Sequence, residues 1–192
     1  MANFTDFTPS TSIASGDYLE GHLASEAIGS ERKFTALAVG QGAFSHAGQY
    51  AELNNQNNAT ALTISASSTD FSNKVQIPFS TSSSVEQGLN ADNATEDITV
   101  GTTGIYHVSV SLSISGGANE TYSFAVFASN GAVQLTTRAT HKIGSGGDVG
   151  NVCISGNVSV SAGVTLEVWI QNETSTDNCT VEDASFSAFR IG

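Results

Sequence analysis

Basic residues are scarce in this 192-residue chain: six Lys and Arg stand against eighteen Asp and Glu, and charged residues of either sign make up only 12% of it. A formal net charge of −12 repels phosphate backbones and anionic membrane surfaces, and Arg32, Lys33, Lys74, Arg138, Lys142 and Arg190 are scattered rather than clustered. Nucleic acid is therefore not an expected partner. No stretch approaches the roughly 20 apolar residues that a spanning helix needs, so membrane insertion is not expected. The opening Met1-Ala2-Asn3-Phe4-Thr5-Asp6 lacks the basic and apolar regions of a secretion signal, which points to synthesis in a cytosol. Cysteine is nearly absent as well, and in such a compartment Cys153 and Cys179 are expected as free thiols.

Catalytic patterns are missing too. No Gly-x-Ser-x-Gly elbow, Gly-rich phosphate loop or carboxylate pair with a predicted cleft occurs. His22, His46, His107 and His141 lie far apart with no Glu or Cys at ligand spacing, and Cys153 has no neighbouring base to activate it. Neither an enzyme nor a cofactor or metal requirement is expected. Glu96-Asp97 and Glu182-Asp183 could hold Ca²⁺, which prefers several oxygens; the alternative is a solvated acidic rim.

What is present suits strands. Ser, Thr, Asn and Ala fill most small and polar positions, Gly counts 19 and Pro only 2, while Val, Ile, Thr and Phe favour a pleated, half-buried surface. Residues 1–45 mix Thr, Ser and Gly with short apolar pieces; Asp17-Tyr18-Leu19-Glu20-Gly21 and Glu31-Arg32-Lys33-Phe34-Thr35 suggest two extended segments around a Gly/Ser/Ala loop, and Ala36 to Val39 a further strand or helical turn. Residues 46–74 are Asn- and Ser-rich and read as a connector carrying about one strand near Leu62, Ile64 and Ala66. From Val75 the period-two pattern is sustained. Tyr106, Val108, Val110, Leu112 and Ile114 face inward against outward His107, Ser109, Ser111 and Ser113. Tyr122, Phe124 and Val126 share a side, and Asn130-Gly131 is a hairpin signal. Val152, Ile154, Val158 and Val160 point inward around a bulge expected at Gly156, and Val164, Leu166, Val168 and Ile170 alternate against outward Trp169. A final strand carries Phe186 and Phe189. Many short strands with regular turn signals predict an all-β, two-sheet antiparallel sandwich over residues 75–192.

The order of these pieces resembles the jelly-roll head shared by tumour necrosis factor and complement-type globular-head proteins. The likeness rests on Gly104-Ile105-Tyr106, the Phe124 strand, Val158-Ser159-Val160-Ser161-Ala162-Gly163-Val164-Thr165-Leu166-Glu167-Val168 and the closing Phe186 and Phe189 strand, with Val164 where that family carries Asp. The N-terminal pieces resemble the short anchor segment of bacteriophage tail-fibre, tailspike and head-fibre proteins, which assigns particle anchoring to Asp17, Tyr18, Leu19, Gly21, Glu31, Arg32, Lys33 and Phe34. Together the two resemblances imply a structural virion-surface protein, a phage fibre or capsid decoration protein. Its N-terminus would dock on capsid or tail proteins, and its homotrimeric jelly-roll head would be exposed to a host glycan or protein. The alternative is a soluble complement-like or cytokine-like binding protein unrelated to a virion. Trp169 is the first candidate for the trimer interface because a large outward aromatic is seldom left bare; Tyr106 and Tyr122 follow if the inward register slips by one.

Overall fold

Two sheets of strands, packed face to face, account for nearly all regular structure in the computed structural model, which describes residues 18–21, 32–35, 48–82, 86–145 and 147–192. Among the described residues there is no helix. The chain divides into two compact units, Met1–His46 and Ala47–Gly192. In the first, β1 (Tyr18–Gly21) pairs antiparallel with β2 (Arg32–Thr35), Tyr18 opposite Thr35 and Gly21 opposite Arg32. The extended segments expected from sequence therefore form one ladder. Asp17, Glu31 and Ala36 to Val39 lie outside the described residues.

The second unit is the sandwich. One sheet runs β11 (Val133–Lys142), β10 (Thr121–Ala128), β13 (Thr165–Asn172), β8 (Asp97–Val100), β7 (Leu89–Asp92), with β5 (Val75–Gln76) added to β13. The other runs β12 (Val149–Val160), β9 (Gly104–Gly116), β14 (Cys179–Arg190), β3 (Tyr50–Asn55), β6 (Thr81–Ser82), with β4 (Thr60–Leu62) added to β14. The predicted inward sets fill the space between them: Val108, Val110, Leu112, Ile114, Val152, Ile154, Val158 and Val160 meet Phe124, Val126, Leu166, Val168 and Ile170, all buried. Each such side chain stabilises the fold by about 1.5–3 kcal/mol.

Four details depart from the sequence reading. Residues 46–74, read as a connector, supply β3 and β4, and β3 pairs with β14 along six positions from Ala184↔Asn55 to Phe189↔Tyr50. The period-two signal there is weak because β3 offers only Ala51, Leu53 and Asn55 to the core. Gly156 is not a bulge: β12 pairs with β9 without a register shift from Val149 to Val160, and a Cβ at Gly156 would lie 2.5 Å from Thr137 Cγ2. Glycine is needed there for room. Register shifts lie instead in β14, between Val181 and Asp183, and along β10, between Ala125 and Phe127. Finally, β10 is buried on both faces, because residues 68–74 cross the outer side of its sheet and set Phe71 against Phe127, ring centroids 5.3 Å apart.

That crossing segment is fastened by Gln171, whose Oε1 accepts from Ser68 Oγ at 2.6 Å and from the Phe71 amide at 2.5 Å. It also covers Trp169. Parity correctly turns Trp169 outward, but its ring meets Phe127 edge-on at 6.3 Å and Lys74 Nζ sits 5.1 Å from its centroid. The turn Ser129-Asn130-Gly131 has positive φ throughout, and a Cβ at Gly131 would fall 2.7 Å from Trp169 Cζ2. Trp169→Ala should therefore lower monomer stability by about 2 kcal/mol, less than a full core truncation because the ring is only partly buried. Denaturant unfolding that is unchanged in the variant would show the packing to be dispensable.

Candidate functional site

The outward face of the β12-β9-β14-β3 sheet carries partly or fully exposed side chains on all four strands. Its side chains form rungs across four strands. Asn157, His107, Phe189 and Tyr50 are register neighbours; the next rung is Ser155, Ser109, Ser187 and Glu52, the next Cys153, Ser111, Ser185 and Asn54, and the last Asn151, Ser113 and Asp183. Outward positions on β9 and β12 carry no Asp, Glu, Lys or Arg at all. In a chain of net charge −12, the β9 and β12 half of this face is unusually poor in charge, with its carboxylates, Glu52 and Asp183, on β3 and β14.

At one end the face turns apolar. Ile105, Phe189 and Ile191 are 46%, 44% and 48% exposed, three of the five exposed large hydrophobics among the described residues. They are held together by backbone: the Ile191 amide donates to Ile105 O at 2.8 Å, and Phe189 stands opposite His107 and Tyr50. The His107 ring lies 5.0 Å from that of Phe189. Its Nδ1 is 2.8 Å from Asn157 Oδ1, an acceptor, so Nδ1 donates there; Nε2 is then free to accept from Ser155 Oγ at 3.1 Å. Serine, histidine and amide in that order are the elements of a hydrolytic relay. Here they lie in register on neighbouring strands of a surface ladder, Ser155 and Asn157 on β12 and His107 on β9. The arrangement fixes the imidazole on the surface.

A groove of about 210 Å³ opens at the other end, where β3 stops. Gln56, Asn57, Ser111, Ser113, Asp183, Ala184 and Ser185 line it. The β14 bulge and the turn after β3, in which Asn57 has φ of +55°, shape it, and the Asn57 amide donates to Asp183 Oδ1 at 3.1 Å.

The structure redistributes the expected site residues. Trp169 lies on the opposite sheet, covered by residues of its own chain. Tyr106 and Tyr122 are 0% exposed within the one chain, so neither can reach an intersubunit surface; their register did not slip. Their hydroxyls end in backbone carbonyls, Tyr106 on Thr102 O at 2.5 Å and Tyr122 on Asn178 O at 3.0 Å. The residues that do face outward at the apolar end, Ile105, His107 and Phe189, carried a usable signal. Phe186 and Phe189 are three apart on one strand, so period two forbids both from facing the core. Asp97 and Asp183 stand on different sheets, and no group of three or more His, Cys, Asp or Glu able to hold a metal occurs among the described residues.

Cys153 is exposed on β12 and Cys179 buried on β14, with β9 between them and their register partners, Ser111 and Gly116, five residues apart. That separation is beyond disulfide reach, and both thiols are free. Burial pushes the Cys179 thiol up to about 12, with Glu182 adding to the shift, and burial likewise pushes the Tyr122 phenol up to about 12. Both groups ionise first in the unfolded chain, from their ordinary values of 9 and 10, which pulls the equilibrium toward unfolding. These two groups should thus leave stability unchanged below pH 9 and lower it between pH 9 and about 12. Thermal melts across that range should show a shallower fall in Cys179→Ala and in Tyr122→Phe; equal slopes in all three proteins would count against the assignment.

No family model matches the chain, and no curated protein matches it in sequence. Its fold does have counterparts. Eiger TNF from S. frugiperda superposes with a TM-score of 0.56 at 14% identity, covering 75% of this chain and 92% of that one. Murine APRIL, in a crystal structure at pH 5.0, gives 0.50 at 13% identity, covering 74% and 100%. The head is an antiparallel jelly roll of the tumour-necrosis-factor type.

Proposed function

We propose that this chain is a virion-surface protein, a phage fibre or capsid decoration protein. Its N-terminal segment docks on capsid or tail proteins, and its jelly-roll head assembles as a homotrimer exposed to the host. The observation that carries the reading is the division of the chain at His46, with a short ladder at the residues that resemble phage anchor segments on one side and the head on the other. The trimer contact is assigned to the apolar end of the β12-β9-β14-β3 face, around Ile105, Phe189 and Ile191, in place of Trp169. In the family that the head resembles, three copies pack through one sheet, and here exposed apolar side chains border β9 and β12, whose outward positions carry no Asp, Glu, Lys or Arg.

Purified particles test the first half. The full chain should be found on them, and a fragment beginning at Ala47 should remain soluble but fail to incorporate. Normal incorporation of that fragment would remove the anchor. The same fold serves a soluble cytokine-like or complement-like binder, and a full chain that never associates with particles would favour that alternative.

A further inference from the structure

We infer that the groove at the end of β3 is a binding site for a single neutral sugar ring. The inference rests on the host-contact part of the proposed function and gives that contact a place and a chemistry. Its lining is polar and mixed in kind. Asp183 spends Oδ1 on the Asn57 amide, leaving Oδ2 to accept. The Ser113 hydroxyl donates to Asn151 Oδ1 at 3.0 Å and that of Ser185 to Glu52 Oε1 at 3.1 Å, so both keep lone pairs for a ligand. The side-chain amides of Gln56 and Asn57 are exposed beside them and able to donate as well as accept.

A carboxylate oxygen flanked by amides and hydroxyls matches adjacent sugar hydroxyls, each of which donates one hydrogen bond and accepts others. The groove holds no Lys or Arg among its lining residues, and the chain is strongly negative, so sialic acids, uronic acids and phosphorylated sugars are disfavoured. About 210 Å³ has room for one hexose ring. The groove also lies away from the proposed trimer contact: Ser185 is four residues and Asp183 six residues from Phe189 along β14, roughly 14 and 20 Å. It can stay open in an assembled head.

With about a dozen heavy atoms and little apolar burial, one ring should bind at a Kd on the order of millimolar. Three grooves per head, and many heads per particle, would lower the apparent Kd by a factor of about 100 to 10,000 through effective concentration.

Saturation-transfer NMR on the soluble full chain tests the site directly, with the methyl glycosides of glucose, galactose, mannose, fucose and N-acetylglucosamine as probes and methyl glucuronide as the charged control. At least one neutral glycoside should receive saturation and the glucuronide none. Asp183→Ala should weaken binding about tenfold or more, the loss expected for a hydrogen bond to a charged group. Gln56→Ala is the folding-neutral companion, since Gln56 is exposed, and should weaken binding severalfold. Transfer to none of the neutral probes, or transfer unchanged in both variants, would overturn the site. Because no particle takes part, either failure leaves the docking of the N-terminal segment untouched, and a chain that binds sugar but never joins particles would fail the virion reading alone.

Discussion

Removal of residues 1–74 should leave the head unfolded, whereas removal of residues 1–46 should leave it folded with a cooperative transition. The sequence alone suggests a head that begins near Val75, but β3 lies inside its sheet, between β14 and β6, with Ala51 opposite Ala188 and Leu53 opposite Phe186. Cutting at 74 removes a paired strand and bares one side of β14 along most of its length. It also removes Leu53, Leu62, Ile64 and Phe71, which are at most 8% exposed. At about 1.5–3 kcal/mol for each fully buried side chain, those four contribute roughly 6–12 kcal/mol. A domain of this size is stable by only about 5–15 kcal/mol in total, so the loss is comparable with the whole. Cutting at 46 falls at the boundary between the compact units. Circular dichroism melts of the two fragments decide the matter, and a cooperative melt from residues 75–192 would show that β3 and β4 are accessory.

The difference between those two cuts also shows where sequence reading succeeds. β9 was legible because five inward apolar residues alternate with His107 and three serines, which stay partly or fully exposed. β10 was legible as a strand but not as one buried on both faces, because Ala125 and Phe127 are covered by residues 68–74, a long-range contact with no local signature. β3 was hidden by composition: Tyr50-Ala51-Glu52-Leu53-Asn54-Asn55 puts a small residue and an amide on its core side, and only the pairing with β14 makes that a strand. The candidate face was half legible. Parity gives its serines and His107, but Trp169, the large outward aromatic, has partners from its own chain that strand parity cannot reveal. The groove depends on a bulge, a turn and the end of a strand meeting in space, and none of these appears in the period-two pattern.

If the head assembles through the proposed contact, Phe189→Asp should convert it from trimer to folded monomer. Phe189 is 44% exposed and belongs to a rung with Tyr50 and His107, beside Ile105 and Ile191, so it can be replaced by a polar residue without opening the core. In an assembly through this face the same position would place three carboxylates in a region that lacks compensating charge on β9 and β12. An uncompensated buried ion costs several kcal/mol, and each 1.4 kcal/mol is a factor of ten in affinity. The dissociation constant should therefore rise by at least about a thousandfold, enough to leave monomer at micromolar concentration. Phe189→Leu keeps the apolar surface and should remain trimeric. Val133→Asp, on the other sheet at a residue 54% exposed, is the matched control and should also remain trimeric. Sedimentation equilibrium distinguishes the outcomes, with denaturant unfolding of each variant to show that the monomer fold persists. A wild-type monomer at micromolar concentration would remove the trimer itself. A trimeric Phe189→Asp protein would move the contact to another surface, and dissociation by Val133→Asp would identify the opposite sheet as that surface.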